Sequence, residues 1–218
     1  MSSGIEQARL PARWEPIARR TVDLVVVMIA LTVLVIPMLI IALMIRMGSP
    51  GQAFYRQQRI GRGGRPFTMY KFRTMRVGCS DSQHRELIAR ELRGEDTSVG
   101  GSWKIDSDPR VTRVGSILRR TSLDELPQLL NVLLGQMSLV GPRPCLDWEA
   151  EMFPAKFAQR FDVPPGLTGL WQVSGRSTMG TLEMLELDLA YVRSWSFWTD
   201  LMILLRTVPT LLRGHGAR

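Results

Sequence analysis

The sequence predicts a mostly helical α+β protein. Residues 1–47 carry one membrane-embedded helix, and residues 48–218 form a small domain with a short β-hairpin and interfacial amphipathic helices. Three observations predict this. Leu24–Ile45 is a run of 22 residues without a charge, and as a helix it would extend about 33 Å, enough to cross a hydrocarbon core of about 30 Å. Phe54-Tyr55-Arg56 and Phe67–Phe72 alternate as half-buried strands do, on either side of Gly61-Arg62-Gly63-Gly64. Asp81–Arg93 and Thr181–Val192 repeat apolar residues at helical spacing, Leu87, Ile88 and Leu92 in one, Leu182, Leu185, Leu189 and Val192 in the other.

Taken in order, Arg9, Arg13, Arg19 and Arg20 precede the apolar run, and a basic stretch follows it. From Arg46 to Ser80 there are eight cations and no acid, a pattern that suits the anionic surface of a cytoplasmic leaflet. A spanning helix keeps its Lys/Arg excess on one side. Cations at both ends, with Pro37 in the middle to bend the helix, also fit a re-entrant segment that enters and leaves by one leaflet. Gly48-Ser49-Pro50-Gly51 ends the helix and opens the soluble part. After the hairpin and the Asp81–Arg93 helix, Gly94–Ser102 reads as a loop, Val111–Arg120 as a basic helix and Leu126–Leu134 as another helix. Pro164-Pro165-Gly166 is a turn, and Thr181 caps the next helix. Trp195, Trp198 and Leu201–Leu212, interrupted by Arg206 and Pro209, read as an interfacial apolar tail.

The chain has 28 Lys+Arg against 20 Asp+Glu, a net charge of +8. No zinc-finger spacing or RNA-recognition signature accompanies that charge, which argues against nucleic acid. The two cysteines, Cys79 and Cys145, form no CxxC, and the only histidines are His84 and His215. Disulfide frameworks, zinc ribbons and multi-histidine metal sites are therefore excluded. Chemistry must rest on carboxylates, Arg and Lys.

Asp124-Glu125 places two carboxylates at a helix start, where both can reach one metal ion or phosphate. Ser122-x-x-Glu125 is equally a capping box, and Asp124 is itself a candidate N-cap. Gly141-Pro142-Arg143-Pro144 is a rigid turn carrying one guanidinium, either a phosphate clamp or simply a turn. Lys71 and Arg73 share a strand-like segment. Gly166–Arg176 mixes glycines with Trp171, Gln172 and Arg176, suited to cradling a nucleotide or to packing a turn.

In this order and wording, Phe54–Gly61, Pro66–Met75, Asp108–Gly115, Thr121–Pro144, Pro165–Arg176, Asp188-x-x-Tyr191-Val192 and Asp200-Leu201 resemble the bacterial sugar transferases, the monotopic polyprenyl-phosphate phosphoglycosyltransferases. The resemblance runs from about Leu24 to Leu212, and the chain looks like the catalytic unit alone. It implies transfer of a sugar 1-phosphate from a UDP-sugar to undecaprenyl phosphate with release of UMP. It also implies Mg²⁺ dependence, a re-entrant helix, and an active site on the cytoplasmic face of the bacterial inner membrane, opening exopolysaccharide or glycoconjugate synthesis. This chain departs from the family's Ser-Pro helix break, having Ile36-Pro37.

Transferred to matching positions, the resemblance makes Asp124 the nucleophile, Asp124 and Glu125 the metal-binding pair, and Arg143 the ligand of the transferring phosphate. Lys71, Arg73, Gln172, Arg176 and Asp188 become substrate contacts. Partners would be the UDP-sugar, undecaprenyl phosphate, membrane lipids and downstream glycosyltransferases, and a homo-oligomer is compatible with the sequence. The alternative from another class is a non-catalytic membrane-surface scaffold for polysaccharide assembly, with Asp124-Glu125 only a helix cap.

Overall fold

The structure, a computed structural model, describes residues 14–76, 82–97, 110–175 and 179–213. Arg9, Arg13, Cys79, Asp81, Asp108, Arg176 and His215 lie outside the described residues. The elements run α1 (Glu15–Gly48), β1 (Phe54–Ile60), β2 (Pro66–Phe72), α2 (Ser82–Leu92), α3 (Arg113–Thr121), a 3-10 segment (Leu123–Gln128) and α4 (Leu129–Leu133). They continue β3 (Ser138–Val140), α5 (Asp147–Met152), a 3-10 segment (Ala155–Phe161), β4 (Gly166–Thr168), α6 (Leu170–Ser174), α7 (Thr181–Arg193) and α8 (Phe197–Arg213). The mostly helical α+β prediction holds.

The apolar run forms one helix, continuous through Pro37, with no turn in its middle. It is long and apolar enough to cross a membrane by length and composition, with a mean hydropathy of 3.2 in its most apolar stretch. Its two sides differ. Val27, Ile41 and Ile45 are buried in the core, with Ala30, Leu31, Leu34, Met38 and Ala42 packed beside it. Val33, Ile36 and Leu39 on the other side are about two-thirds exposed, at 67%, 67% and 65%.

Both ends of α1 are fastened to the same domain. Near its start, the Asp23 carboxylate accepts from Ser138 Oγ at 2.8 Å and from the Leu139 N–H at 3.0 Å. Arg20 donates to the last carbonyls of α4, on Val132 and Leu133, and Arg19 pairs with Asp200 at 3.0 Å. At the far end, the Arg73 guanidinium donates to the backbone oxygens of Ser49 and Pro50 and to Ser49 Oγ. Three of the arginines that read as lipid-facing flank charges thus serve internal packing.

β1 and β2 pair antiparallel from Phe54↔Phe72 to Ile60↔Pro66, and Gly63 and Gly64 supply the positive φ that their tight connection needs. The main core lies between β2, α4, β3, α7, α8 and the first half of α1. α2 is pinned to α7 by the buried Glu91 carboxylate, which accepts from the Thr181 N–H at 3.0 Å and from its hydroxyl. The residue before the helix, Gly180, is therefore the N-cap, and Thr181 is capped rather than capping. α8 continues through Pro209, with Trp198 and Leu205 exposed at 69% and 68%.

Candidate active site

The predicted site residues begin at a turn tied down on every side. β3 and β4 pair in parallel, Ser138↔Gly166 and Val140↔Thr168, which lays Gly141–Cys145 against Pro164–Gly169. There the backbones approach so closely that a Cβ on Gly141 would lie 2.3 Å from Pro164 O, and one on Gly169 2.3 Å from Gly141 O. Successive carbonyls of the turn are then taken up. Pro142 O accepts from the Gly166 N–H, Arg143 O from Arg160 Nη2, Pro144 O from Arg59 Nη1 and Cys145 O from the Ile60 N–H. A backbone held at four consecutive carbonyls gives the Arg143 side chain a fixed base. The guanidinium lies over the Trp171 ring, 5.8 Å from its centroid.

Arg143 faces an opening lined also by Arg59, Lys71, Glu125, Gln128 and Gln172. Lys71 Nζ lies 3.3 Å from Glu125 Oε1. Burial pushes the Lys71 amine below its ordinary pKa; Glu125 opposes that, and Arg143 adds to it. Gln172 Oε1 and Trp171 Nε1 are buried without hydrogen-bond partners among the described residues. Unpaired polar atoms at a cleft are costly unless a ligand or water meets them.

Asp124 adjoins this opening through Glu125. The capping box does not form: Ser122 takes a left-handed conformation (φ 56°) and its side chain caps nothing. Both acids lie inside the 3-10 segment Leu123–Gln128. Burial, and next the charge of Glu125, push the Asp124 carboxyl up to about 6, while Lys71 and Arg119 pull it down. Mg²⁺ takes one or two carboxylates and completes its octahedron with water and phosphate oxygens, so Asp124 and Glu125 fit that ion. No group of three or more metal-ligating side chains exists among the described residues.

The structure brings Lys71, Glu125, Arg143 and Gln172 together, with Asp124 beside them. It places two other predicted contacts elsewhere. Arg73 follows the last residue of β2 and turns back to the end of α1, where its buried guanidinium binds the Ser49 and Pro50 carbonyls. Asp188 is buried in α7, paired at 2.7 Å with Arg160. It bears on the site through Arg160, which holds the Arg143 carbonyl, and through the charge of Arg143 itself.

Arg59 and Gln128 are lining residues that the sequence reading missed. The signal for Arg59 was strand register. Arg59, opposite Phe67, lies on the same hairpin face as Met69 and Lys71. Behind it, Glu149 accepts from the Leu146 N–H at 2.6 Å, contacts His84 at 3.0 Å and lies 3.6 Å from Arg59. Burial would raise the Glu149 carboxyl, but His84, Arg59 and the Leu146 N–H overcome it and hold it down at about 2, against an ordinary 4.5. A carboxyl depressed in the folded state adds stability above its unfolded pKa, and that stability is lost as pH falls through the folded one. Thermal melts in detergent should therefore show wild type losing on the order of 3 kcal/mol more than Glu149→Gln between pH 5 and pH 2. Parallel pH profiles would refute the assignment.

The chain belongs to the bacterial sugar transferases, whose family pattern matches residues 14–214. Among its relatives is the UDP-glucose:undecaprenyl-phosphate glucose-1-phosphate transferase of Caulobacter vibrioides, 45% identical over 93% of this chain and 75% of that protein. Another is the exopolysaccharide production protein ExoY of Sinorhizobium fredii, 37% identical over 92% and 88%. A third is the undecaprenyl-phosphate galactose phosphotransferase of Salmonella typhimurium, 39% identical over 97% of this chain and 44% of that one. The chain spans less than half the length of several such longer relatives.

Proposed function

We propose that this chain transfers a sugar 1-phosphate from a UDP-sugar to undecaprenyl phosphate, releasing UMP, as the first membrane step of exopolysaccharide or glycoconjugate synthesis. The observation that carries the reading is the convergence of Lys71, Arg143 and Glu125 on one opening, beside an Asp124 that caps no helix. The names of the Caulobacter and Salmonella relatives support the donor and acceptor classes.

In the first half-reaction an Asp124 oxygen attacks the sugar-side phosphorus. The new O–P bond forms as the bridging P–O bond breaks, and UMP departs with that electron pair. In the second, a phosphate oxygen of the lipid attacks the same phosphorus and the Asp124 carboxylate leaves. A carboxylate suits both roles, as nucleophile and as leaving group. Lys71 orients Glu125, and Arg143 offers a planar fork to the phosphate. Mg²⁺, held by Asp124 and Glu125, would neutralise charge on the diphosphate.

The exposed stripe of α1 lies in lipid; one domain holds both ends of the helix, which supports their lying on one side of the membrane, the cytoplasmic side in this reading. Cysteines introduced at Ala12 and Gly51 should both resist an impermeant thiol reagent applied to intact cells, whereas efficient labelling of either would show a helix that crosses the membrane. The activity is tested by offering the full chain in nanodiscs a panel of UDP-sugars with Mg²⁺ and undecaprenyl phosphate. UMP should appear with at least one donor and depend on all three components. No UMP from any donor would leave the scaffold reading in its place.

A further inference from the structure

Arg59 has no place in the chemistry described above, yet it is built into the same opening. Its guanidinium is buried, 8% exposed. Its hydrogen bonds hold it from behind: Nη1 donates to Pro144 O at 3.2 Å and Nη2 to Gln57 Oε1 at 2.7 Å. The Glu149 carboxylate stands 3.6 Å away. A guanidinium carries five N–H donors, and Nε–H, buried, has no partner among the described residues. Among the described residues, Arg59, Lys71 and Arg143 are three cations on one opening whose one lining acid is Glu125. Crowding desolvated like charges is unfavourable; burial and Arg143 push the Arg59 guanidinium down to about 10. Such an arrangement is favourable once a polyanion occupies it.

We propose that Arg59 is a second phosphate-binding residue of the donor pocket, acting with Arg143 to grip two linked phosphates, so that it sets the preference for a nucleoside diphosphate over a monophosphate. The proposal rests on the reading of the opening as the UDP-sugar site. Because Arg59 donates to the carbonyl of Pro144, the residue after Arg143, its guanidinium and the backbone of Arg143 stand on the same tied turn.

The test is calorimetric binding of UDP, UMP and inorganic pyrophosphate to the full chain in detergent with Mg²⁺. Wild type should bind UDP more tightly than UMP. Arg59→Gln should lower affinity for UDP and pyrophosphate about 10–100-fold while changing UMP less than about threefold. Arg59→Lys should lie between, since it keeps the charge and loses the fork. If Arg59→Gln does not fold by circular dichroism, Arg59→Lys alone decides, and it must weaken the UDP preference at least about threefold. An unchanged UDP:UMP ratio in a folded variant, or equal losses for both nucleotides, overturns the role of Arg59. A wild-type chain that binds neither nucleotide and releases no UMP would instead remove the proposed function itself.

Discussion

Asp124→Asn should abolish turnover, with a loss on the order of 10⁴-fold or more, as removal of a covalent nucleophile does. Mixed with a UDP-sugar and Mg²⁺ but no lipid, the wild-type chain should release about one UMP per site and stop, because the sugar phosphate remains on the carboxylate. Intact-mass measurement should then show an adduct that hydroxylamine removes. Asp124→Asn should give neither burst nor adduct, since the neutral amide is a poor nucleophile of nearly the same shape. Glu125→Gln should slow the burst and weaken its dependence on Mg²⁺, yet still form the adduct. The fold makes the comparison clean. Neither acid caps a helix, so neither substitution removes a cap; Asp124→Asn should leave the folded fraction unchanged, whereas Glu125→Gln also removes the charge opposite Lys71. An adduct that persists in Asp124→Asn would move the nucleophile elsewhere, with Glu125 the first candidate.

Gly141→Ala should have a large effect on stability. The added methyl would lie 2.3 Å from Pro164 O and 2.8 Å from Gly166 N, and both are backbone atoms that cannot rotate away. β3 and β4 would have to part, breaking the bonds that hold Pro142 and Gly166 together. A loss of about 3 kcal/mol or more follows, seen as a fall in melting temperature of roughly 6–12 °C for a chain of this size. Activity should fall with it, because Arg143 stands on this turn. Gly63→Ala is the control. It has a positive φ but nothing within 4 Å, so it should cost only about 1–2 kcal/mol and leave the site intact. A Gly141→Ala protein that melts like wild type would show that the turn has slack.

Those two residues also show what the sequence could and could not reveal. The hairpin was legible because alternation over two strands around a glycine turn is a strong local pattern. So was its Lys71 face. Arg73 misled because the pleat ends at Phe72; one residue later the chain bends toward Ser49 and Pro50, and parity no longer tells direction. The pairing of Asp188 was not legible because its partner, Arg160, lies 28 residues away, and no local signal marks a buried ion pair. β3 and β4 are three residues each, too short for any period. Their only trace was the glycines at Gly141, Gly166 and Gly169. The carboxylate pair stood out as a motif, but a capping box and a catalytic pair call for the same residue types. The left-handed backbone at Ser122, whose side chain caps nothing, excludes the capping box.

The way α1 is fastened has a mechanical result. A catalytic head on a flexible stalk would sample many heights above a bilayer, and a lipid phosphate would meet it at varying depth. Here the embedded helix contributes Val27, Ile41 and Ile45 to the same interior that supports the site. Anchor and catalyst move as one body, and with the exposed stripe of α1 in lipid as proposed, the opening rides at a set elevation over the headgroups. The acceptor must then be delivered by lateral diffusion to a dock of fixed height. Detaching residues 1–47 would not release a soluble enzyme; it would strip one wall from the core.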